Sequence, residues 1–154
     1  MIVRNGWTLL FHECLLEQLA KLDAAAQRAE MKDPEGYHEN ANVRLFNALS
    51  QRMLETVPDD PAREQYRLGS TMGSAYTHWK RVKIGRRFRL FFRYDSASKV
   101  IIYAWVNDEN SLRSAGAKND PYNVFRLMLE KGNPPDSWSE LLKASHKSMT
   151  RNQW

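Results

Sequence analysis

The stretch "WKRVKIGRRFRLFFRYD", residues 79–95, decides how the chain is read. It carries seven Lys and Arg residues, at positions 80, 81, 83, 86, 87, 89 and 93, among aromatic and branched side chains. Branched and aromatic residues on either side of Gly85 predict two strands and a turn. Strand side chains alternate between faces. Phe88, Leu90, Phe92 and Tyr94 therefore share one face, and Arg87, Arg89, Phe91 and Arg93 the other. On the first strand Lys80, Val82 and Ile84 face one way and Trp79, Arg81 and Lys83 the other. A three-residue turn, Gly85-Arg86-Arg87, sets Ile84 opposite Phe88, Val82 opposite Leu90, Lys83 opposite Arg89 and Arg81 opposite Phe91. A two-residue turn would set Val82 against Arg89 and scramble the apolar face, so the pattern selects the longer one.

The expected sheet has one dry face for helices and one cationic face. Like charges directly opposite each other destabilise a sheet by up to about 1 kcal/mol per pair, and an anion held between Lys83 and Arg89 would relieve that cost. A solvated edge whose positive residues discourage edge pairing fits the same pattern. On the expected facing, Arg89 is solvent-exposed and its removal leaves stability unchanged, whereas Leu90 is core. The next apolar run, "KVIIYAWVN" (99–107), is apolar on both faces and is expected at the centre of the sheet. Ala104 within it would leave room for a long neighbour such as Arg89.

Outward from this meander the chain reads as helices. Toward the N-terminus, "GWTLLFH" (6–12) is a short β-prone run. Leu15, Leu19, Leu22 and Ala26 recur at helical spacing up to about Lys32. "DPE" (33–35) predicts a second helix start, with Asp33 as cap and Pro34 at the first position; Gly36 would delay its regular turn. Val43, Phe46, Leu49, Met53 and Val57 form its apolar face, and "VPDDPA" ends it. Residues 63–78 read as a loop. Toward the C-terminus, "DPYNVFRLMLEKG" (120–132) is a helix with Asp120 as cap and Gly132 as stop. A capping box from Ser137 to Glu140 opens one more short helix. The order of elements predicts an α+β class: a twisted antiparallel sheet packed by N-terminal and C-terminal helices, as a single domain over residues 1–145, with 146–154 as a flexible tail.

Composition sets outer bounds. The 154 residues suffice for one core. The net charge of +5 favours a polyanionic partner: nucleic acid, an acidic protein or an anionic membrane. Cys14 is the single cysteine, so no internal disulfide forms. His12, His38, His78 and His146 show no zinc-binding spacing, and no metal or other cofactor is expected. The first apolar run is too short for a signal peptide or a spanning helix, so a cytoplasmic location is expected.

"RLFFRY", "WVNDEN" followed by Leu112 and Arg113, and the "DPY…KGNPPDSW" segment together resemble the YhaV family of toxins, within the RelE/ParE superfamily of toxin–antitoxin systems. The resemblance covers nearly the whole chain before about Lys143. It implies a RelE/ParE-like fold and an mRNA interferase: a metal-independent endoribonuclease, in many relatives active on the ribosome. It also implies a PrlF-type antitoxin with an AbrB-like DNA-binding domain, and operator DNA bound through the toxin–antitoxin complex. Many superfamily members carry basic-x-basic-x-Gly, a tight turn and then Arg. Arg81, Lys83, Gly85 and Arg89 stand at those places, with a turn about one residue longer that leaves Arg87 as an alternative to Arg89. Arg113 and Tyr122 loosely match a basic residue after the last core strand and a Tyr or His in the last helix. In the ParE branch the same fold inhibits gyrase by contact. A gyrase-directed toxin and a non-catalytic nucleic-acid binder are therefore the competing readings.

Metal-free RNA cleavage uses the substrate's 2′-hydroxyl to attack the adjacent phosphate. The protein must accept a proton, stabilise the gathering charge and protonate the leaving oxygen. On this reading Arg81 and Arg89 hold the phosphate with their planar forks, and Lys83, crowded between them, moves a proton. Arg113 and Tyr122 complete the catalytic set. Trp79 and Phe91 would stack bases, and Lys80, Arg87 and Arg93 would contact the RNA backbone. Asp108 and Glu109 are alternative bases in what is otherwise a polar loop. His78 has suitable acid–base chemistry but reads first as a surface residue. His12 is read as structural, Cys14 as a helix-face filler, and Tyr103 and Trp105 as core.

Overall fold

The computed structural model describes residues 1–150. A hairpin of β1 (Ile2–Arg4) and β2 (Trp7–His12) opens the chain. Its turn is Asn5-Gly6, both at positive φ (48° and 81°), the geometry that two-residue hairpins favour. Helix α1 (Glu13–Lys32) follows at once, capped by the His12 side chain, which accepts the Cys14 N–H. Helix α2 spans Ala41–Gln51 and continues through a wider π turn (Arg52–Thr56) into the short α3 (Val57–Asp59). Pro58 brings no N–H to this widened turn. The carbonyl of Met53 receives the Tyr103 hydroxyl instead, at 2.7 Å.

The meander is β3 (Lys80–Ile84), β4 (Phe88–Asp95) and β5 (Val100–Val106), followed by α4 (Pro121–Glu130), α5 (Trp138–Lys143) and β6 (Ser145–His146). The strand order is β1-β2-β5-β4-β3, with β6 pairing β2 beyond the end of β1. β5 is central, and the β3–β4 register is the expected one: Val82 opposite Leu90, Lys83 opposite Arg89, Arg81 opposite Phe91.

Four expectations are corrected. The class is α+β, but the sheet is mixed, because β2 runs parallel to β5. Local hairpins force antiparallel neighbours; β2 meets β5 only after a long, largely helical crossover, which permits the parallel direction. "DPE" closes a turn rather than opening a helix. The Asp33 carboxylate accepts the Gly36 N–H, a Cβ at Gly36 would collide with that carboxylate, and α2 starts at Ala41 under an Asn40 cap. Residues 146–150 do not lack a core role: His146 pairs with Phe11 of β2, Ser148 is buried and Met149 packs on the core. The rest of the expected tail, 151–154, lies outside the described residues. Finally, both faces of the sheet are covered. One packs Leu9, Phe11, Leu90, Phe92 and Tyr103 against α1 and α2. The other, the expected cationic face, packs Phe91, Trp79, Ile102 and Trp105 against Phe125 of α4 and Leu141 of α5. No helix among the described residues is long and apolar enough to cross a membrane.

Candidate active site

The cations left on the second face gather at one end of it. Arg81 and Arg89 lie on neighbouring strands and on the same face, diagonal to each other and two residues out of direct opposition. Above them α4 begins, with Asp120 accepting the Tyr122 N–H and Pro121 at the first position. This start places the Tyr122 hydroxyl between the two guanidinium groups. Arg81 Nε donates to Tyr122 Oη at 2.9 Å, and Arg89 Nε donates to the same oxygen at 3.0 Å. Arg113 completes the cluster from the loop after β5, its guanidinium 5.0 Å from the Tyr122 ring centre.

Each arginine is anchored. Arg81 Nη1 donates to the carbonyls of Gln65 and Arg67, both at 2.8 Å. Arg89 Nη1 donates to the carbonyls of Arg86 and Phe88. Arg113 pairs with the Asp120 carboxylate at 2.6 Å. Asp120 thus serves twice: one oxygen caps α4, the other takes Arg113 and the Ser114 N–H. The Nη2 groups of Arg81 and Arg89 have no acceptor among the described residues. These two donors are available to a ligand oxygen.

Asn107, expected at the end of the third strand where the polar loop begins, holds the end of the strand pair together. It is 1% exposed. Its Oδ1 accepts the Arg89 N–H at 2.7 Å, and its Nδ2 donates to the carbonyls of Arg87 and Ser111. The Arg113 N–H also donates to the Arg87 carbonyl. The strand carrying Arg89 and the loop carrying Arg113 are therefore tied by the Asn107 side chain and by a backbone hydrogen bond. Neither this role nor the double use of Asp120 has a one-dimensional signal beyond an Asn after an apolar run and an Asp before a Pro.

Of the residues expected from sequence, the structure brings together Arg81, Arg89, Arg113 and Tyr122. Lys83 lies opposite Arg89 and is exposed, with no salt bridge among the described residues. Arg87 is exposed beside the cluster. The other expected RNA contacts are placed differently. Trp79 and Phe91 are 0% exposed and offer no ring face to a base. Phe91 stacks on Phe125 with centroids 4.3 Å apart; Trp79 meets the same ring edge-on and donates Nε1–H to Asp136. Helices α4 and α5 cover this part of the face, which alternation along a strand could not reveal. Arg93 is half-buried, 5.5 Å from both the Trp79 and Trp138 ring centres, and donates to the Asp136 carbonyl. Burial lowers its pKa, with Asp136 opposing. Lys80 points to the opposite face from Arg81; burial and Arg67 lower its pKa. Ala104 does not sit across from Arg89. It is the extra residue of a β-bulge, with Tyr103 opposite Phe92 and Trp105 opposite Phe91.

The alternative acid–base residues lie elsewhere. His78 pairs with Asp136 at 2.7 Å, next to Trp79. Asp108 accepts from Gln18 of α1 and from the Asn110 N–H. Glu109 lines a cleft with Lys21 and Phe88 on the α1 side. His12 is buried as a helix cap, and burial lowers its pKa. Burial pushes the Cys14 thiol up to about 11, the value of a structural rather than a reactive cysteine.

Residues 9–146 match a family described as "Toxin with endonuclease activity, of toxin-antitoxin system". The toxin YhaV of Escherichia coli O6:H1 is 40% identical over 146 residues, 94% of this chain and 95% of the relative. The ribonuclease toxin YhaV of Escherichia coli K12 matches with the same identity and coverage. No solved structure matches the chain. The match spans every element from β2 to β6, including all four residues of the arginine–tyrosine cluster, and the chain belongs to the YhaV toxin family, toxins with endonuclease activity in toxin–antitoxin systems.

Proposed function

We propose that this chain is the toxin of a type II toxin–antitoxin system and a metal-independent mRNA endoribonuclease that cleaves by attack of the substrate's own 2′-hydroxyl. One observation carries the reading: two guanidinium groups converge on a single tyrosine hydroxyl, and their Nη2 donors have no acceptor among the described residues. Those donors suit the non-bridging oxygens of a phosphate, where negative charge grows as the 2′-oxygen attacks. Tyr122 Oη accepts both Nε–H bonds, so its own proton is left to donate. The 2′-oxygen forms the new bond to phosphorus and the bond to the 5′-oxygen breaks. The departing 5′-oxygen takes the Tyr122 proton, leaving a 2′,3′-cyclic phosphate. Lys83, exposed across from Arg89, is assigned to take up the 2′-hydroxyl proton. Arg113, over the Tyr122 ring, holds the phenol in place and adds positive charge.

The 40%-identical ribonuclease toxin supports RNA as substrate. On the same reading the cell neutralises the chain with a PrlF-type, AbrB-like antitoxin whose acidic segment covers Arg81, Lys83 and Arg89, and the complex binds its operator DNA. The toxin acts in the cytoplasm, on messages engaged with the ribosome. The test is primer-extension mapping of a message in a purified translation system and on free RNA, with wild type and Arg89→Ala, each with and without chelator. Wild type should cleave in chelator and leave cyclic or 3′-phosphate ends. Cleavage that needs added Mg²⁺ and leaves 3′-hydroxyl ends would overturn the mechanism. Toxicity without RNA cleavage would favour the gyrase-directed or purely binding readings.

A further inference from the structure

Beside Tyr122 the surface opens into a cavity of about 350 Å³ between the loop after Arg113 and the first turns of α4. Tyr122 and Arg113 line this cavity and also belong to the arginine cluster, so the two adjoin. Its charge is one-sided. Arg113, Lys118 and Arg126 stand on its walls against one carboxylate, Asp120, which is already committed to Arg113 and the Ser114 N–H. The Lys118 ammonium has no acceptor among the described residues, and Lys118 is exposed at the cavity wall. Arg126 is held toward the wall by Glu130 at 2.7 Å and by Asn123 Oδ1 at 2.6 Å.

The cavity is preformed and left unfilled by its own loop. Residues 115–117 are Ala-Gly-Ala. Gly116 adopts φ +79°, and a Cβ there would meet nothing within 4 Å. The Ala117 N–H donates to the Ser114 carbonyl, and Asn123 Nδ2 ties the Lys118 carbonyl to α4 at 2.7 Å. Small side chains on a braced loop keep the space open without ligand, which lowers the ordering cost of binding.

We propose that this cavity is a nucleotide subsite: it holds the nucleotide next to the scissile phosphate of a single-stranded RNA, with Lys118 and Arg126 on its backbone phosphate. The inference rests on the ribonuclease reading above and adds a second, non-catalytic point of attachment to it. Its volume is at the small end of the range of about 300–1,000 Å³ for ligand sites, which suits one nucleotide rather than a run. A base paired in an A-form duplex cannot enter a pocket of this kind, so the strand must be single.

Fluorescence anisotropy with a fully 2′-O-methylated single-stranded oligonucleotide of mixed sequence, which lacks the nucleophile and cannot be cleaved, tests the subsite apart from catalysis. Wild type, Lys118→Ala, Arg126→Ala, Arg126→Lys and Arg89→Ala are titrated over a range of salt, with melting temperature as the folding control. Lys118→Ala and Arg126→Ala should each weaken binding about tenfold, as loss of one charge-assisted contact does. Each should also lower the slope of log affinity against log salt by about 0.7. Arg126→Lys should restore the slope. If Arg89→Ala weakens binding while the Lys118 and Arg126 variants match wild type, the subsite is wrong and the active site stands. If no variant, Arg89→Ala included, alters binding, RNA does not use this face and both readings fall.

Discussion

Arg81 and Arg89 share one acceptor, the Tyr122 hydroxyl, at 2.9 and 3.0 Å. Two cations on adjacent strands would otherwise repel each other. The phenol oxygen between them, and the carbonyls that take their Nη1 groups, convert a repulsive pair into a fixed one. The site is thereby organised before substrate arrives.

Tyr122→Phe keeps the ring, its edge-on contact with Phe91 and the Arg113 contact, but removes the shared oxygen. Two Nε–H donors lose their acceptor, at a cost of about 1–3 kcal/mol in stability. Cleavage should fall by about a hundredfold or more, the scale for losing a transition-state group. Single-turnover cleavage and thermal melting on the same preparation check both numbers. Wild-type cleavage in a variant that folds would remove Tyr122 from the mechanism.

Arg89 is 7% exposed, so the expectation that Arg89→Ala leaves melting unchanged is withdrawn. Its guanidinium makes three hydrogen bonds, and truncation should cost about 1–3 kcal/mol. Leu90→Ala, from the fully buried opposite face, should cost about 2–5 kcal/mol. Stability alone does not separate the two. Activity per folded molecule does: Leu90→Ala should cleave normally below its melting point, whereas Arg89→Lys, which keeps the charge but loses the fork, should drop about a hundredfold or more. Normal cleavage by Arg89→Lys would show that only the charge matters.

Arg93 is a packing residue on this structure. It sits between Trp79 and Trp138 and ties α5's entry to the sheet through the Asp136 carbonyl. Arg93→Ala should destabilise by about 1–3 kcal/mol through the lost cation–π contacts and hydrogen bond. Its kcat/KM on RNA, measured well below the melting point, should equal wild type. A reduced kcat/KM with an unchanged Tm would return Arg93 to the RNA-binding set.

His12 introduces a pH dependence of known sign. Burial holds its pKa below the ordinary 6.5, opposed by Glu13 and aided by His146. Its neutral Nδ1 accepts the Cys14 N–H, and protonation breaks that cap. The unfolded chain takes up a proton near pH 6.5 while the folded chain does not. The contribution is therefore complete above pH 6.5 and is lost as pH falls through the depressed folded value. Urea midpoints should fall between pH 7.5 and 5.5, with His12 supplying at most about 1.4 kcal/mol per pH unit. In His12→Asn, which keeps a capping acceptor, this part of the slope should vanish. An identical slope in the variant would assign the effect to other groups.

The sequence by itself determined whatever depends on neighbours along the chain. Alternation of apolar residues placed Val82 opposite Leu90, and therefore Arg81 and Arg89 together on one face, because a one-residue slip would bury charge. Asp120 before Pro121 marked the start of α4, and with it the position of Tyr122. The Asn5-Gly6 pair carries an equally local hairpin signal, with both residues at positive φ. The tertiary structure alone decided what lies above each face. Trp79 and Phe91 share the parity of Arg81 and Arg89, yet α4 and α5 close over the first two and stop at the second two. The parallel pairing of β2 with β5, the inward turn of Asn107 and the double use of Asp120 depend likewise on segments far apart in sequence. Strand periodicity is set by local backbone geometry and can be counted along the chain. What lies above each residue of a face is set by where a distant helix begins and ends, and no local pattern records that distance.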